Sequence, residues 1–185
     1  MREIKFAGRG GQGAVLASQI LAAAFSEDGW FVQAFPSFGA ERRGAPVSSF
    51  LRIDSEEITL RCGVLSPDWL VVFDSSLLGN PMILAGVTEN TSLVVNGTAA
   101  PDASGLPGFK SLYTVDATAI AEGLRLKTTS FSIVNTAMVG AFAGASGLLS
   151  LESVASAVGG MVPVKKEENM AAAREAYEKV KEVFK

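Results

Sequence analysis

Near the amino end of this 185-residue chain stands Gly8-Arg9-Gly10-Gly11-Gln12-Gly13, and these six residues are the first candidates for chemistry. Gly8, Gly10 and Gly13 fit G-x-G-x-x-G. Ile4-Lys5-Phe6-Ala7 precedes them and an alanine-rich run over residues 14–25 follows, so the pattern reads strand, glycine loop, helix. That arrangement turns free backbone N–H groups and the positive end of a helix dipole toward an anion. Gln12 adds an amide that both donates and accepts. Further along, Ser37-Phe38-Gly39-Ala40-Glu41-Arg42-Arg43-Gly44 sets two arginines between glycines. Arginine forks grip phosphate or carboxylate bidentately, and glycines allow close approach. Loops at the carboxyl ends of the first two strands of an open α/β sheet face one crevice, so Arg42 and Arg43 are expected beside Gly8, Gly10, Gly11, Gln12 and Gly13. Both loops also have a plain reading. The glycines can serve only a tight turn and close packing, and the arginines can be solvated charge or an interchain salt bridge.

A dinucleotide fold requires an acid at the end of the second strand to hold the ribose hydroxyls. Gln33, Ala34 and Phe35 occupy that place, and Glu27 and Asp28 lie before the strand. Arg42 and Arg43 could hold a ribose phosphate, which keeps a free-standing NAD(P)- or nucleotide-binding oxidoreductase as an alternative.

The remaining composition narrows the chemistry. Histidine is absent and Cys62 is the single cysteine, so the chain cannot build a zinc site, a Cys–His nucleophile pair or an iron–sulfur cluster from its own residues. Beside Gly63, Cys62 reads as a small buried hydrophobe at a strand end. No paired-carboxylate or serine–base signature stands out. A net charge of −3 without a basic stripe argues against nucleic acid. Charged residues make up 19%, against about 25% in a typical soluble domain, which suggests that a partner covers some surface. Met1 leads directly into a strand with no signal peptide, so the cytoplasm is expected. Residues 128–151 lack charge but are diluted by Thr128, Thr129, Ser130, Ser132, Asn135, Thr136, Ser146 and Ser150, and read as a buried helix, not a membrane span.

The elements that must position the two loops follow from periodicity. Residues 30–35 read as a strand stopped by Pro36. Residues 47–53 and 58–62 read as a hairpin around Asp54-Ser55-Glu56-Glu57. Residues 69–73 and 92–95 are continuous apolar runs expected as parallel central strands, with a helix over 81–87 opened by Pro81. Residues 100–109 read as loop, 112–115 as a last strand, and 117–124 as a helix capped by Asp116. Helices are predicted over 132–149, where Gly140 and Gly144 permit close backbone approach to the sheet or to another subunit, and over 151–158. From residue 167 to the end, Met170, Ala173, Tyr177, Val180 and Phe184 share one helical face. The fold class is a single-domain, three-layer α/β/α sandwich over residues 1–185, with a mostly parallel central sheet, an antiparallel hairpin excursion and a Rossmann-like glycine loop.

Taken together, the glycine loop, the Glu41-Arg42-Arg43-Gly44 loop and Tyr113-Thr114-Val115-Asp116-Ala117-Thr118 resemble the gamma subunit of 2-oxoacid:ferredoxin oxidoreductases, the pyruvate type above all. Asn135 and Asn169 sit where such chains often carry asparagine. The resemblance implies a noncatalytic subunit of a cytoplasmic complex with alpha, beta and delta partners and ferredoxin as acceptor. Thiamine diphosphate, Mg and [4Fe-4S] clusters would belong to those partners. It also implies an anionic ligand, coenzyme A, for Gly8, Gly10, Gly11, Gln12, Gly13, Arg42 and Arg43. Those loops could instead press against partner subunits, and a purely structural assembly module is the third reading.

Overall fold

A computed structural model describes residues 1–37, 44–102, 105–129 and 131–184. Its strands are β1 (Arg2–Arg9), β2 (Phe31–Pro36), β3 (Pro46–Asp54), β4 (Trp69–Val72), β5 (Ser92–Asn96), β6 (Ser111–Val115) and β7 (Lys181–Phe184). Its helices are α1 (Ala14–Glu27), α2 (Pro81–Leu84), α3 (Ala117–Gly123), α4 (Asn135–Ser146), α5 (Leu151–Met161) and α6 (Lys166–Lys179), and a 3-10 turn spans Ser75–Gly79. The strands form one sheet in the order β2-β3-β1-β4-β5-β6-β7. β1, β4, β5 and β6 run parallel at its centre, where β4 and β5 are buried throughout as their apolar runs predict. Antiparallel pairs stand at both edges.

The antiparallel excursion differs in its arms from the sequence expectation. β2 pairs with β3, with Val32 opposite Ile53 and Ala34 opposite Leu51, because Leu51 and Ile53 then bury beneath α1 in the main core. The 58–62 segment is mostly exposed and forms no strand. It crosses the other face of the sheet, where the Leu60 carbonyl accepts from Gln33 Nε2 at 3.1 Å. Cys62 is consequently exposed, not buried. The last helix also ends early. The chain turns at Val180 and residues 181–184 return as β7 beside β6, so Phe184 pairs with Leu112 instead of extending the α6 face. The helix predicted over 132–149 starts at Asn135, after a bridge between Lys127 and Ser132, and stops where Gly147 takes φ 64°. The helix predicted over 81–87 is a single turn.

The two faces of the sheet are covered unequally. One carries α1 and α3 to α6 over a core built on Ile4, Phe6, Leu51, Val71, Phe73 and Phe142. Gly140 and Gly144 make their close approach to α6: a methyl group at Gly140 would collide with the Ala173 carbonyl, and one at Gly144 would come within 2.5 Å of the Tyr177 carbonyl oxygen. Asn169 adds a polar fastening, accepting from Thr136 Oγ1 at 2.9 Å and donating to the Lys165 carbonyl at 2.9 Å. Among the described residues the other face carries the 58–62 crossing, and the 3-10 turn, α2 and the chain near Leu106 and Phe109 lie over Leu70, Val72, Leu93 and Val95. Lys5 rises into this thin layer and donates to the carbonyls of Met82 at 3.1 Å, Ile83 at 2.7 Å and Ala85 at 3.4 Å, satisfying the orphaned end of α2. Burial pushes its ammonium pKa down. Beside it Arg52, 1% exposed, pairs with Glu3 at 2.7 Å, bonds Gln33 at 2.9 Å and stacks on Phe35, the full pairing that a buried charge needs. Among the described residues no helix is long and apolar enough to cross a membrane.

Candidate functional site: the rim and crevice at the carboxyl ends of the parallel strands

The glycine loop closes on itself before it offers anything outward. The Arg9 N–H donates to Gln12 Oε1 at 2.7 Å, and the Gln12 N–H donates back to the Arg9 carbonyl at 2.9 Å. Gln12 therefore pins the turn with its oxygen and keeps its amide NH2 as its remaining donor. Gly11 (φ 102°) and Gly13 (φ 82°) hold the left-handed backbone that favours glycine. A Cβ on Gly11 would lie 2.5 Å from the Phe131 ring, and one on Gly13 would lie 2.7 Å from Asn135 Nδ2. At Gly8 it would meet Gln12 Oε1 at 3.3 Å and the Ala14 Cβ at 3.4 Å. These three glycines thus serve close packing, and Asn135 at the start of α4 is one of the side chains they admit. The N-cap position of α1, Gly13, supplies no side-chain acceptor for the first helical turn.

Gly10 has a different task. Its N–H donates to the Ala45 carbonyl at 2.8 Å, and its carbonyl accepts from the Gly44 N–H at 3.1 Å. These bonds continue the β1–β3 ladder beyond Arg9 and Pro46, and they tie the exit of the second loop to the first. Arg42 and Arg43 lie outside the described residues; their neighbour Gly44 lies at the glycine loop.

The cation that spacing alone did not single out is Arg9, an "x" of the motif. Its Nε donates to Asp74 Oδ2 at 2.7 Å, one terminal nitrogen to Ser76 Oγ at 2.7 Å and the other to the Gly44 carbonyl at 3.2 Å. The available signal was Asp74, which closes the apolar run of β4. Burial opposes ionisation of Asp74, yet hydrogen bonds from Ser76 and Arg9 and the Arg9 charge together outweigh it and hold the carboxyl below its ordinary value. Both of its oxygens are engaged, since Oδ1 accepts from the Ser76 N–H at 3.0 Å and hydroxyl at 2.6 Å. β4 is the parallel neighbour of β1, so Asp74 stands beside the glycine loop, where Arg9 pairs with it. The strand reached through α1 is β2, on the opposite side of β1, and it carries no acid near its end.

Behind the rim lies a crevice of about 590 Å³ lined by Gln12, Asp74, Asn96, Asp116, Glu122 and Phe131 among others, none of them Lys or Arg. Asn96 braces its floor by donating to the Phe73 carbonyl at 3.0 Å and to Thr118 Oγ1 at 2.9 Å. Asp116 caps α3 through the Ala119 N–H at 2.8 Å, as its position predicts, and Glu122 accepts from Ser132 at 3.1 Å. Three carboxylates disfavour a phosphate on this floor. An anion is accommodated, if anywhere, at the rim. Among the described residues no cluster of His, Cys, Asp and Glu suits a metal ion.

The model of the pyruvate ferredoxin/flavodoxin oxidoreductase family matches residues 3–179. The chain is 52% identical over 158 residues to pyruvate synthase subunit PorC of Methanocaldococcus jannaschii, covering 85% of this chain and 84% of that one. It is 45% identical to the common gamma subunit of the pyruvate/ketoisovalerate oxidoreductases of Pyrococcus furiosus, over 100% of this chain and 99% of the relative. The crystal structure of the pyruvate oxidoreductase subunit PORC from Thermotoga maritima superposes with a TM-score of 0.83 at 38% identity, covering 99% of this chain and 98% of that one. A family match that spans both loops, the crevice and all six helices has one consequence: the chain belongs to the pyruvate ferredoxin/flavodoxin oxidoreductase family, as one of its gamma-type subunits.

Proposed function

We propose that the protein works within a complex that converts pyruvate or a related 2-oxoacid, coenzyme A and oxidised ferredoxin to acyl-CoA, CO2 and reduced ferredoxin, or runs the reverse reaction. Alpha, beta and delta subunits would hold thiamine diphosphate, Mg and [4Fe-4S] clusters and host the bond-making. This chain would act in the cytoplasm as one gamma-type domain over residues 1–185. The observation that carries the reading is the junction of the two loops at Gly10, Gly44 and Ala45 on the rim of the crevice. Coenzyme A phosphates would meet Gly8, Gly10, Gly11, Gln12, Gly13, Arg42 and Arg43 at that rim, while the acidic floor turns them away. Phe31, Leu60, Leu65 and Met82 stand exposed on the thin side of the sheet, a surface suited to cover by partner subunits. The gamma relative from P. furiosus is named as common to pyruvate and ketoisovalerate enzymes, which supports assigning oxoacid choice to other chains.

The test is reconstitution. Oxoacid-dependent, coenzyme A-dependent reduction of ferredoxin should require this chain together with its partners, and turnover by the isolated chain would overturn the reading.

A second reading, assembly without a ligand, draws on the glycines that pack against Phe131 and Asn135. Under it, replacing Arg42 and Arg43 by alanine disrupts assembly and leaves the KM for coenzyme A unchanged. The NAD(P) alternative is disfavoured because β2, Phe31–Pro36, carries no acid at its end, and tight NAD or NADP binding by the isolated chain in calorimetry would revive it.

A further inference from the structure

The two edges of the sheet are finished differently. β7 is four residues long, carries Lys181 and Glu182, and meets β6 with a register shift; short length, charge and irregularity are the usual defences of an edge against another strand. β2 has none of them. Its six residues, Phe31-Val32-Gln33-Ala34-Phe35-Pro36, carry no charge and keep an unbroken register with β3. Among the described residues no strand lies beyond it. We propose that this free edge of β2 is an interface between two copies of the chain, paired antiparallel about a two-fold axis at Gln33. The proposal goes beyond the coenzyme A reading above and does not depend on it.

The Ser37 N–H donates to the Ser48 carbonyl at 2.9 Å. Hydrogen-bonded pairs alternate along an antiparallel ladder, so Phe35, Gln33 and Phe31 also turn their backbone groups toward β3, while those of Val32 and Ala34 point away from the sheet. With Ala34 of one copy opposite Val32 of the other, all four outward N–H groups meet carbonyls. The new ladder ends itself on both sides, because Pro36 has no N–H and the Trp30 N–H is already given to the Phe25 carbonyl at 2.9 Å. What favours a second copy over a different chain is the near-palindrome of the strand: Phe31 falls opposite Phe35, Val32 opposite Ala34, and Gln33 opposite itself. An isologous interface requires such self-complementarity, and here it forms an aromatic cross-strand pair on each side of the axis. Phe31, 48% exposed, shares the thin face with Gln33, whose Nε2 holds the carbonyl of the exposed Leu60. Pairing of the copies shields this apolar surface beside the axis.

The experiment follows the full chain by sedimentation over a range of concentrations and the assembled complex by thiol cross-linking. The full chain should show a concentration-dependent dimer. Ala34→Pro removes one outward donor per copy and leaves the bonds to β3 in place, so it should raise the dimer dissociation constant about thirtyfold, the scale of two hydrogen bonds, with the circular dichroism of the fold unchanged. Ala34→Lys, a charge of the kind that guards β7, should act in the same direction and keeps the test decisive if proline disturbs the strand. The axis makes position 33 a non-hydrogen-bonded pair with Cα atoms about 4.5 Å apart, within reach of a disulfide. Gln33→Cys with Cys62→Ser should therefore link two copies under diamide, in the isolated chain and in the complex, whereas Glu182→Cys with Cys62→Ser should not. A monomer at every concentration, a dimer indifferent to both Ala34 variants, or equal linking from position 182 overturns the proposal. Failure of position 33 to link within the complex also overturns it and leaves the edge to a strand of a different subunit.

Discussion

The helical face of the sheet and the thin face are built from opposite materials. On the first, small residues let backbones touch: Gly140 lies under Ala173 and Gly144 under Tyr177, with Ala137, Ala141, Ala172 and Ala176 buried around them. On the second, a one-turn helix and a 3-10 turn rest on Leu77, Leu78 and Ile83, the amine of Lys5 holds the carbonyls at the end of α2, and large apolar side chains remain in solvent. Close-packed backbone is rigid and intolerant of volume; a thin layer of short elements opens locally at lower cost. The rim is where the two plans meet. Phe131 and Asn135 close the glycine loop from the helical side, and Asp74 and Ser76 anchor Arg9 from the carboxyl end of β4. The difference suggests a division of labour, with stability kept on one face and adaptable surface on the other.

The sharpest way to break this comparison is Gly140→Ala. In an ordinary helix that change stabilises by about 1 kcal/mol. Here the added methyl meets a backbone carbonyl that can retreat only if α4 and α6 separate, so a net loss of about 3 kcal/mol is expected in chemical denaturation. A gain would mean the two helices are not closely packed. Lys5→Met should act more locally. It leaves three carbonyls at the end of α2 without their donor, at a cost of about 1–2 kcal/mol, and amide exchange should quicken around residues 81–87 while α4 and α6 keep their protection. Equal quickening on both faces would erase the distinction. The smallest effect belongs to pH. The folded pKa of Asp74 is depressed, so its contribution is fully present above its unfolded value of about 3.9 and is lost as pH falls through the folded value. The melting-temperature gap between wild type and Asp74→Asn should stay constant from neutral pH down to about 5 and close only in stronger acid.

Much of the fold was legible because its signals are local. Residues 69–73 and 92–95 are unbroken apolar runs and became buried central strands. Asp116 stood before an alanine-rich stretch and caps α3. The errors share a cause. The sequence points to 58–62 as the hairpin partner of 47–53, but the burial of Leu51 and Ile53 beneath α1, with Val32 packed against that core, selected β2 instead. Residues 181–184 continued a helical period, yet the open edge of β6 offered backbone partners that the period could not register. At the site, the glycine loop was legible as a motif, whereas its occupation by Phe131 and Asn135 was not, since both arrive from more than a hundred residues away.

By itself the sequence determined which side chains this chain can bring to chemistry, with one cysteine and no histidine, and a strand–glycine–helix junction whose glycines admit left-handed backbone wherever they occur. Only the tertiary structure decided that Arg9 and Asp74, 65 residues apart, would share an ion pair, that Gly10 would join the two loops, and that the crevice behind them would be acidic. The physical reason is range. Conformational preference acts between neighbours in sequence, while strand order, burial and charge pairing act between neighbours in space, and those exist only after the sheet has chosen its order.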